Sequence, residues 1–165
     1  MFPIKEYNHL IPIPGKDPGG FGTRRKYDKH TGVDLYCPDG TPVYSIEAGI
    51  VTKIVEFTGF KESPWWENTM AVIVRGPSGY ILYGEIAPDS ELWEGDYLHA
   101  GAYLGKVKTV LKKDKHKTPT AMLHMELYES FTEPVWWKDN KPYGLLDITN
   151  LLLRERAKAV TPYRL

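Results

Sequence analysis

Short runs of apolar and β-branched residues, separated by turn residues about every 8–12 positions, dominate the middle of the chain. Four such runs occupy residues 41–46, 50–57, 70–74 and 79–86. Their length and their content of Val, Ile, Thr and Tyr are typical of β-strands. The turn sequence Gly76-Pro77-Ser78-Gly79 separates the last two runs and predicts a hairpin.

Residues 120–128 alternate between two kinds of side chain, as a strand with two different faces does. One face is apolar and consists of Ala121, Leu123, Met125 and Leu127. The other face consists of Met122, His124, Glu126 and Tyr128. The alternation therefore places a histidine on the face opposite the apolar one, where it is available to a ligand.

The two ends of the chain lack this pattern. Residues 1–20 are rich in Pro and Gly, which predicts an irregular lead-in. Asp147 has the residue type of an N-cap, an amphipathic stretch follows it, and Pro162 comes shortly afterwards, so we expect one helix over residues 147–160. The whole pattern predicts a single, mainly β domain over residues 1–165, with an antiparallel sheet core and a short C-terminal helix.

Composition excludes several classes of partner. Basic and acidic residues balance at 21 each, so nothing indicates a surface for nucleic acid or for an anionic membrane. The single cysteine, Cys37, excludes an internal disulfide and a thiolate zinc cluster, and we expect it to pack in the core. We also expect a monomer.

Nothing in the sequence as given resembles a targeting segment. The N-terminus has no basic start followed by an apolar run, and no apolar stretch is long enough to span a membrane. We therefore expect neither an export signal nor a transmembrane segment. A cytoplasmic protein, a phage-delivered protein and a protein whose leader has been removed all stay open.

Candidate chemistry begins at His30-Thr31-Gly32-Val33-Asp34, where a histidine and an aspartate flank a glycine. A fully extended chain would place His30 and Asp34 roughly 13 Å apart, whereas zinc holds nitrogen and oxygen ligands at about 2.0–2.2 Å. The backbone must therefore turn back for both side chains to bind one ion, and Gly32 permits such a turn. Surface turns share this pattern, so a metal site needs a third ligand further along the chain.

The connection over residues 58–69 is 12 residues long and contains Pro64, Trp65 and Trp66. This length is typical of a functional loop rather than a tight turn. The paired tryptophans either cap the core or form the wall of a groove for an extended substrate. The sequence leaves both interpretations open.

The order of these motifs resembles the LytM and lysostaphin-type zinc endopeptidases, which cleave peptide cross-links in bacterial peptidoglycan. Phe21-Gly22-Thr23-Arg24 is similar to the family's Phe/Tyr-Gly-x-Arg lead-in, and residues 30–34 match its His-x-Gly-x-Asp motif. Residues 79–86 align with the strand that ends Tyr-x-His-Leu, and residues 93–101 align with Val-Gly-Asp-x-Val-x-x-Gly. Leu123-His124-Met125-Glu126 resembles the second half of His-Leu-His-Phe-Glu.

This resemblance implies a LytM-like β-sandwich or barrel and a Zn²⁺ ion held by His30, Asp34 and His124. It implies a peptide or peptidoglycan-like substrate. It also places Arg24 near the metal, because a fixed cation would face the carboxylates there. Glu126 shares the strand face of His124, about 7 Å along the strand, and is expected to fix the imidazole rather than to bind the metal.

The chain departs from the family at the two histidines that do not bind the metal. Glu85 stands where the family has the histidine of Tyr-x-His, and Met122 stands where it has the first histidine of His-x-His. Met122 cannot transfer a proton. A carboxylate beside zinc can accept one, and Glu85 is expected on the strand face of Ile81 and Tyr83, pointing into the metal cleft.

Two functions from different classes remain. The first is a zinc hydrolase that uses a zinc-bound water, with Glu85 as the base and the fourth metal position open. The second is a catalytically degenerate zinc-binding module with a binding or regulatory role, since the loss of general acid-base help typically costs about 10²–10⁴-fold. Glu85 as a fourth ligand, which would make the zinc structural, is a third possibility.

Overall fold

A computed structural model of the chain describes residues 1–5, 10–111 and 121–160. Thr120 and Pro162, which the sequence assigned to a strand and to the end of a helix, lie outside these residues. No helix in the described part of the chain is long and apolar enough to span a bilayer.

Nine strands and one helix make up the regular structure of the described residues. The strands are β1 (Val33–Tyr36), β2 (Pro42–Tyr44), β3 (Gly49–Glu56), β4 (Met70–Gly76), β5 (Gly79–Pro88), β6 (Tyr97–Leu98), β7 (Tyr103–Val107), β8 (Met122–Tyr128) and β9 (Leu145–Leu146). The helix is α1 (Thr149–Val160). The predicted class, mainly β with a short C-terminal helix, is confirmed.

All strand pairs are antiparallel, and the main path through the sheet runs β1-β8-β5-β4-β3-β6. β7 pairs with both β2 and β5, and β9 pairs with β8. The predicted hairpin forms between β4 and β5, where Gly76 is opposite Gly79. β8 lies between β1 and β5, so this order brings the His30–Asp34 segment beside the strand that carries His124.

The two faces of the sheet are unequal. The main core includes the predicted apolar face of β8, from Ala121 to Leu127, together with Cys37. A smaller cluster on the opposite side is formed by Ala71, Ile73 and Leu82. Phe57 and Phe131 pack against this smaller cluster, and His124 faces the same side with its ring centroid 5.4 Å from that of Phe57.

The ends of the chain follow the predicted pattern. Neither strand nor helix forms in the described part of residues 1–20, although Phe2 and Ile4 are buried in the main core. At the other end, the Asp147 carboxylate accepts a hydrogen bond from the Thr149 amide at 2.9 Å, as an N-cap does. The helix therefore begins two residues later than expected, at Thr149.

Candidate metal centre

His30, Asp34 and His124 bring three ligand-type atoms together on the less covered side of the sheet. His30 Nε2 lies 3.1 Å from His124 Nδ1. Asp34 Oδ1 lies 3.2 Å from His30 Nε2 and 2.8 Å from His124 Nδ1. Asp34 is directly opposite His124 in the pairing of β1 with β8, which explains how residues so far apart in sequence meet.

The contacts of the other imidazole nitrogens determine which atoms carry protons. His30 Nδ1 lies 3.1 Å from the carbonyl oxygen of Gly20, and because a carbonyl only accepts, Nδ1 is the donor. His124 Nε2 lies 2.8 Å from Glu126 Oε1, and a carboxylate likewise accepts. When both imidazoles are neutral, His30 Nε2 and His124 Nδ1 therefore carry no proton. Their lone pairs face each other and the Asp34 carboxylate.

Glu126 is held in place by more than His124. Thr31 and Tyr128 both donate hydroxyl hydrogen bonds to its carboxylate. Burial opposes ionisation of this group, but the hydrogen bond from His124, with those from Thr31 and Tyr128, keeps the Glu126 pKa below its ordinary value. Glu126 is thus an ionised acceptor that fixes the imidazole of His124.

Asp34 is buried and carries a charge. Burial would raise its pKa, yet the charge of His30 and the hydrogen bonds of both histidines hold that pKa far below the ordinary range. Burial also acts against a charged His124, but hydrogen bonds to Asp34 and Glu126 raise the pKa of His124 to about 10. The cluster therefore attracts positive charge strongly, whether a proton or a metal ion supplies it.

The cation that reaches Asp34 is Arg25 rather than the predicted Arg24. Arg25 Nη2 donates to Asp34 Oδ2 at 3.1 Å and to the Pro18 carbonyl at 3.1 Å. Arg24 is exposed and does not line the cavity around the cluster. The Arg25 amide donates to the Asp28 carbonyl at 2.8 Å, which closes a tight turn directly after Arg25.

Gly32 allows β1 to approach β8 closely. A Cβ at this position would lie 2.1 Å from the Met125 carbonyl oxygen, closer than van der Waals contact permits. The sequence assigned Gly32 to a permissive turn, but its φ is not in the left-handed region. The missing side chain lets the segment between His30 and Asp34 lie against the strand of His124.

Glu85 enters the site through an irregularity in β5. Gly84 pairs with Ala71 and Ile86 with Met70, so Glu85 is an extra residue in the ladder, with φ at 60°. A positive φ is uncommon for a residue other than glycine. β5 also changes its partner strand at this point. It pairs with β8 up to Gly84 and with β7 from Ile86 onwards.

The bulge reverses the expected direction of Glu85. Ile81, Tyr83 and also Ile86 belong to the main core, whereas Glu85 lines the cavity around the cluster. The prediction that Glu85 shares the face of Ile81 and Tyr83 was therefore wrong. A strand bulge shifts the alternation by one residue, and this is why Glu85 reaches the cavity from that part of β5.

The Glu85 carboxylate is buried and incompletely paired. Its side chain is 8% exposed, and among the described residues its Oε2 atom has no hydrogen-bond partner. Burial, followed by the negative charge of Asp34, raises the pKa of Glu85 from 4.5 to about 8. The cluster of converging ligand atoms consists of His30, Asp34 and His124, without Glu85.

The cluster lies in a cavity of about 530 Å³. Phe57, Met122, Trp66 and Trp136 line it together with His30, Asp34 and His124. The two indole rings are nearly parallel, with an interplanar angle of 17° and centroids 6.4 Å apart. Trp66 thus forms part of a groove wall, one of the two sequence interpretations, whereas Trp65 is 59% exposed.

A family model for peptidase family M23 matches residues 28–136, which contain all three residues of the cluster. The chain belongs to peptidase family M23. The resemblance to LytM and lysostaphin-type enzymes that the motifs indicated is thereby confirmed. No curated protein matches the sequence.

Three solved structures share the fold. The protein cbpa from L. salivarius REN is 20% identical, with a TM-score of 0.56, over 88% of this chain and 86% of that chain. The antimicrobial peptidase lysostaphin from Staphylococcus simulans is 18% identical, with a TM-score of 0.50, over 87% of this chain and 55% of that chain. A putative glycyl-glycine endopeptidase lytM from Ruminococcus gnavus is 20% identical, with a TM-score of 0.52, over 96% of this chain and 60% of that chain. This chain therefore spans little more than half of the last two.

The three converging atoms in this M23 protein fit a zinc ion. A tetrahedral zinc ion with bonds of the usual length separates its ligand atoms by about 3.3 Å, close to the 2.8–3.2 Å between these atoms. Two imidazole nitrogens and one carboxylate oxygen form a common zinc donor set. Both imidazoles also donate their other N–H to an acceptor, as metal-binding histidines almost always do.

Some residues of the site were not found from the sequence. Gly20 acts through its carbonyl, which no side-chain pattern reveals. Arg25 could not be told from Arg24 by spacing. Trp136 belongs to a second Trp-Trp pair, Trp136-Trp137, that repeats the pair in the 58–69 connection, and this repeat was the signal that could have identified it.

Proposed function

We propose that this protein is a zinc-dependent peptidase that cleaves peptide bonds in a peptidoglycan-like substrate, with Glu85 as the proton acceptor. The observation that carries the proposal is the convergence of three ligand-type atoms, His30 Nε2, Asp34 Oδ1 and His124 Nδ1, which lie 2.8–3.2 Å from one another in the cavity. A divalent cation satisfies them together.

The residues around the cluster have separable tasks. Gly20 and Glu126 hold the two imidazoles by their outer nitrogens. Arg25 occupies Asp34 Oδ2, so that Oδ1 alone is directed towards the two histidines. A zinc ion bound there would supply Lewis acidity to the scissile carbonyl and would lower the pKa of an attacking water.

Glu85 supplies the proton acceptor in this proposal. Its Oε2 atom is free to take a proton from the attacking water because no described residue donates to it. Without a metal, burial and the charge of Asp34 raise the Glu85 pKa to about 8, and a divalent cation bound nearby would lower this pKa and favour the ionised, proton-accepting form. The bulge fixes the carboxylate at the cavity, although holding a non-glycine residue at positive φ costs about 1–3 kcal/mol.

The family and its structural neighbours support the proposed substrate class. M23 enzymes are peptidases, and the R. gnavus neighbour is described as a putative glycyl-glycine endopeptidase. A cavity of about 530 Å³ with aromatic walls has a size typical of small-molecule or short-peptide sites. Glycine-rich peptides and cross-linked peptidoglycan are therefore the first substrates to test.

The alternative function is a zinc-binding module without turnover. Met122 lines the cavity at a position where the motif resemblance implies a family histidine, and this favours the alternative. Its thioether cannot stabilise charge on an attacked carbonyl as an imidazole does. The two functions share the metal centre and differ in whether Glu85 alone is sufficient for proton transfer.

Asp34→Ala tests the metal centre. Removing the charged ligand should abolish tight zinc binding and any chelator-sensitive peptide cleavage, while Asp139→Ala, which removes an exposed carboxylate that does not line the cavity, should retain both. Zinc content after gel filtration and cleavage of glycine-rich peptides measure the two effects. Stoichiometric zinc in Asp34→Ala would contradict the ligand assignment.

A further inference from the structure

The cavity around the metal centre is strongly acidic among its described residues. Seven carboxylate side chains line it, against two basic ones, Arg25 and Lys29. Both cations already have partners, because Arg25 contacts Asp34 and the Lys29 ammonium lies 5.3 Å from the Trp137 ring centroid. Carboxylates remain in excess even after a divalent ion is counted.

Two of these carboxylates stand at the mouth of the cavity. Glu62 comes from the 58–69 connection and Glu133 from the segment after β8, and both are exposed. Neither forms an ion pair with any residue that the structure describes. Deeper in the same cavity, the buried Glu85 Oε2 atom likewise has no described partner. Carboxylate oxygens at the mouth of the cavity and at the buried Glu85 can therefore accept hydrogen bonds from a ligand with N–H donors.

The aromatic residues suit the same kind of ligand. Trp136, three residues after Glu133, is 47% exposed. Its ring is nearly parallel to that of Trp66, which lies four residues after Glu62. An ammonium within about 6 Å of an indole face is attracted to the ring. The methylene chain of a lysine side chain also packs well along apolar surface while its charged end stays in a polar environment.

We propose that this cavity selects peptides that carry an ammonium-bearing side chain next to the scissile bond. Glu62 and Glu133 contact the ammonium, and Trp66 and Trp136 contact the methylene chain that carries it. This inference deepens the proposed peptidase function and rests on it for the peptide nature of the ligand. A peptide with a carboxylate at the same position is repelled.

The test uses three acetylated, amidated tripeptides that differ only in the central residue, which is lysine, norleucine or glutamate. Binding to the zinc-loaded protein is followed by stopped-flow tryptophan fluorescence before turnover, and cleavage is followed separately by chromatography. We expect the lysine peptide to bind about tenfold more tightly than the norleucine peptide. This preference should weaken as salt is raised.

Two variants locate the preference. In the double variant Glu62→Gln with Glu133→Gln, the preference for lysine should fall to about twofold, while the norleucine peptide should bind as before. Glu91→Gln removes an exposed carboxylate that does not line the cavity and should leave the preference intact. Trp136→Ala should weaken binding of the lysine and norleucine peptides together.

The outcomes separate this inference from the proposed function. Equal binding of the lysine and norleucine peptides, or a lysine preference that survives the double variant, overturns the inference even if both peptides are cleaved. A lysine preference that depends on Glu62 and Glu133, found in a protein that cleaves neither these peptides nor glycine-rich peptides and cross-linked peptidoglycan, supports the inference and overturns the peptidase proposal.

Discussion

Each imidazole of the metal centre is oriented by the contact that its second nitrogen makes. For His30 that contact is a backbone carbonyl, Gly20, which cannot be changed by substitution without moving the chain. For His124 it is the side chain of Glu126, which also receives hydrogen bonds from Thr31 and Tyr128. The orientation of His124 is therefore the one that mutagenesis can examine directly.

Glu126→Gln should weaken zinc affinity by about 10–100-fold, because a neutral amide holds the imidazole less firmly and makes it a weaker donor to the metal. Competition against a chromogenic chelator measures the affinity. Glu129→Gln changes an exposed carboxylate near the end of the same strand and serves as the control. An unchanged affinity in Glu126→Gln would mean that this carboxylate does not support the ligand.

Glu85 should destabilise the zinc-free protein as the pH rises. Folding raises its pKa from 4.5 to about 8, so the folded state binds the proton more tightly than the unfolded state. The stability associated with this proton is complete below pH 4.5 and is lost as the pH rises through about 8. Between the two values folding carries the cost of taking up a proton, and above about 8 it carries the full cost of burying an ionised carboxylate.

Glu85→Gln removes this pH dependence. In the absence of metal, the free energy of unfolding of the variant should exceed that of the wild type by an amount that grows by about 1 kcal/mol per pH unit over this range. Urea unfolding at several pH values measures the difference, and Glu91→Gln is the control. A constant difference across the range would show that Glu85 does not titrate as a buried group.

At the scale of elements, the site is formed where three strands meet. β8 carries His124 between β1 and β5. Close contact with β1 requires Gly32, and close contact between β5 and Phe57 requires Gly84, where a Cβ would lie 2.6 Å from the ring. The metal centre therefore depends on two positions without side chains as well as on its ligands.

Gly32→Ala should separate β1 from β8 and lower both stability and zinc affinity. The added methyl group would collide with the Met125 backbone carbonyl, which cannot move as a flexible side chain can, so we expect a loss of about 2 kcal/mol or more. Gly40→Ala is a matched control. Its φ of 81° makes alanine unfavourable, but nothing lies within 4 Å of the new Cβ.

Thermal unfolding and zinc titration of the two glycine variants distinguish the effect of backbone strain from the effect of moving β1 away from β8. Gly40→Ala should lose about 1 kcal/mol and keep wild-type zinc affinity. Gly32→Ala should lose more stability and also affinity. Equal losses of stability and of zinc affinity in the two variants would mean that the close contact of β1 with β8 at Gly32 does not position the ligands.

Alternation and turn residues were sufficient to predict most of this architecture. The β4–β5 hairpin, the two faces of β8 and the capped helix all follow from local sequence, because period-2 patterns and cap residues act locally. The site was less predictable where one residue alters the geometry. The bulge at Glu85 reverses the side-chain direction, and Arg25 rather than the adjacent Arg24 reaches Asp34. Neither leaves a signal in residue type or spacing.

At the scale of the whole molecule, the acidic cavity contrasts with a balanced net charge. The chain has 21 basic and 21 acidic residues, yet carboxylates predominate in the described lining of the cavity. Net charge alone therefore gave no indication of a ligand, because opposite charges elsewhere cancel those of the site. A monomeric state and the absence of nucleic acid and membrane partners stay predictions.

Zinc binding by the cluster and proton uptake by Glu85 during peptide cleavage can be tested in one comparison. The most direct measurement compares zinc content and cleavage rate in wild type, Glu85→Gln and the double variant Glu85→His with Met122→His, on cross-linked peptidoglycan and glycine-rich peptides. We predict that Glu85→Gln keeps stoichiometric zinc and cleaves about 10²–10⁴-fold more slowly than the wild type. A silent wild type together with activity in the double variant would contradict the account and identify a degenerate binding module.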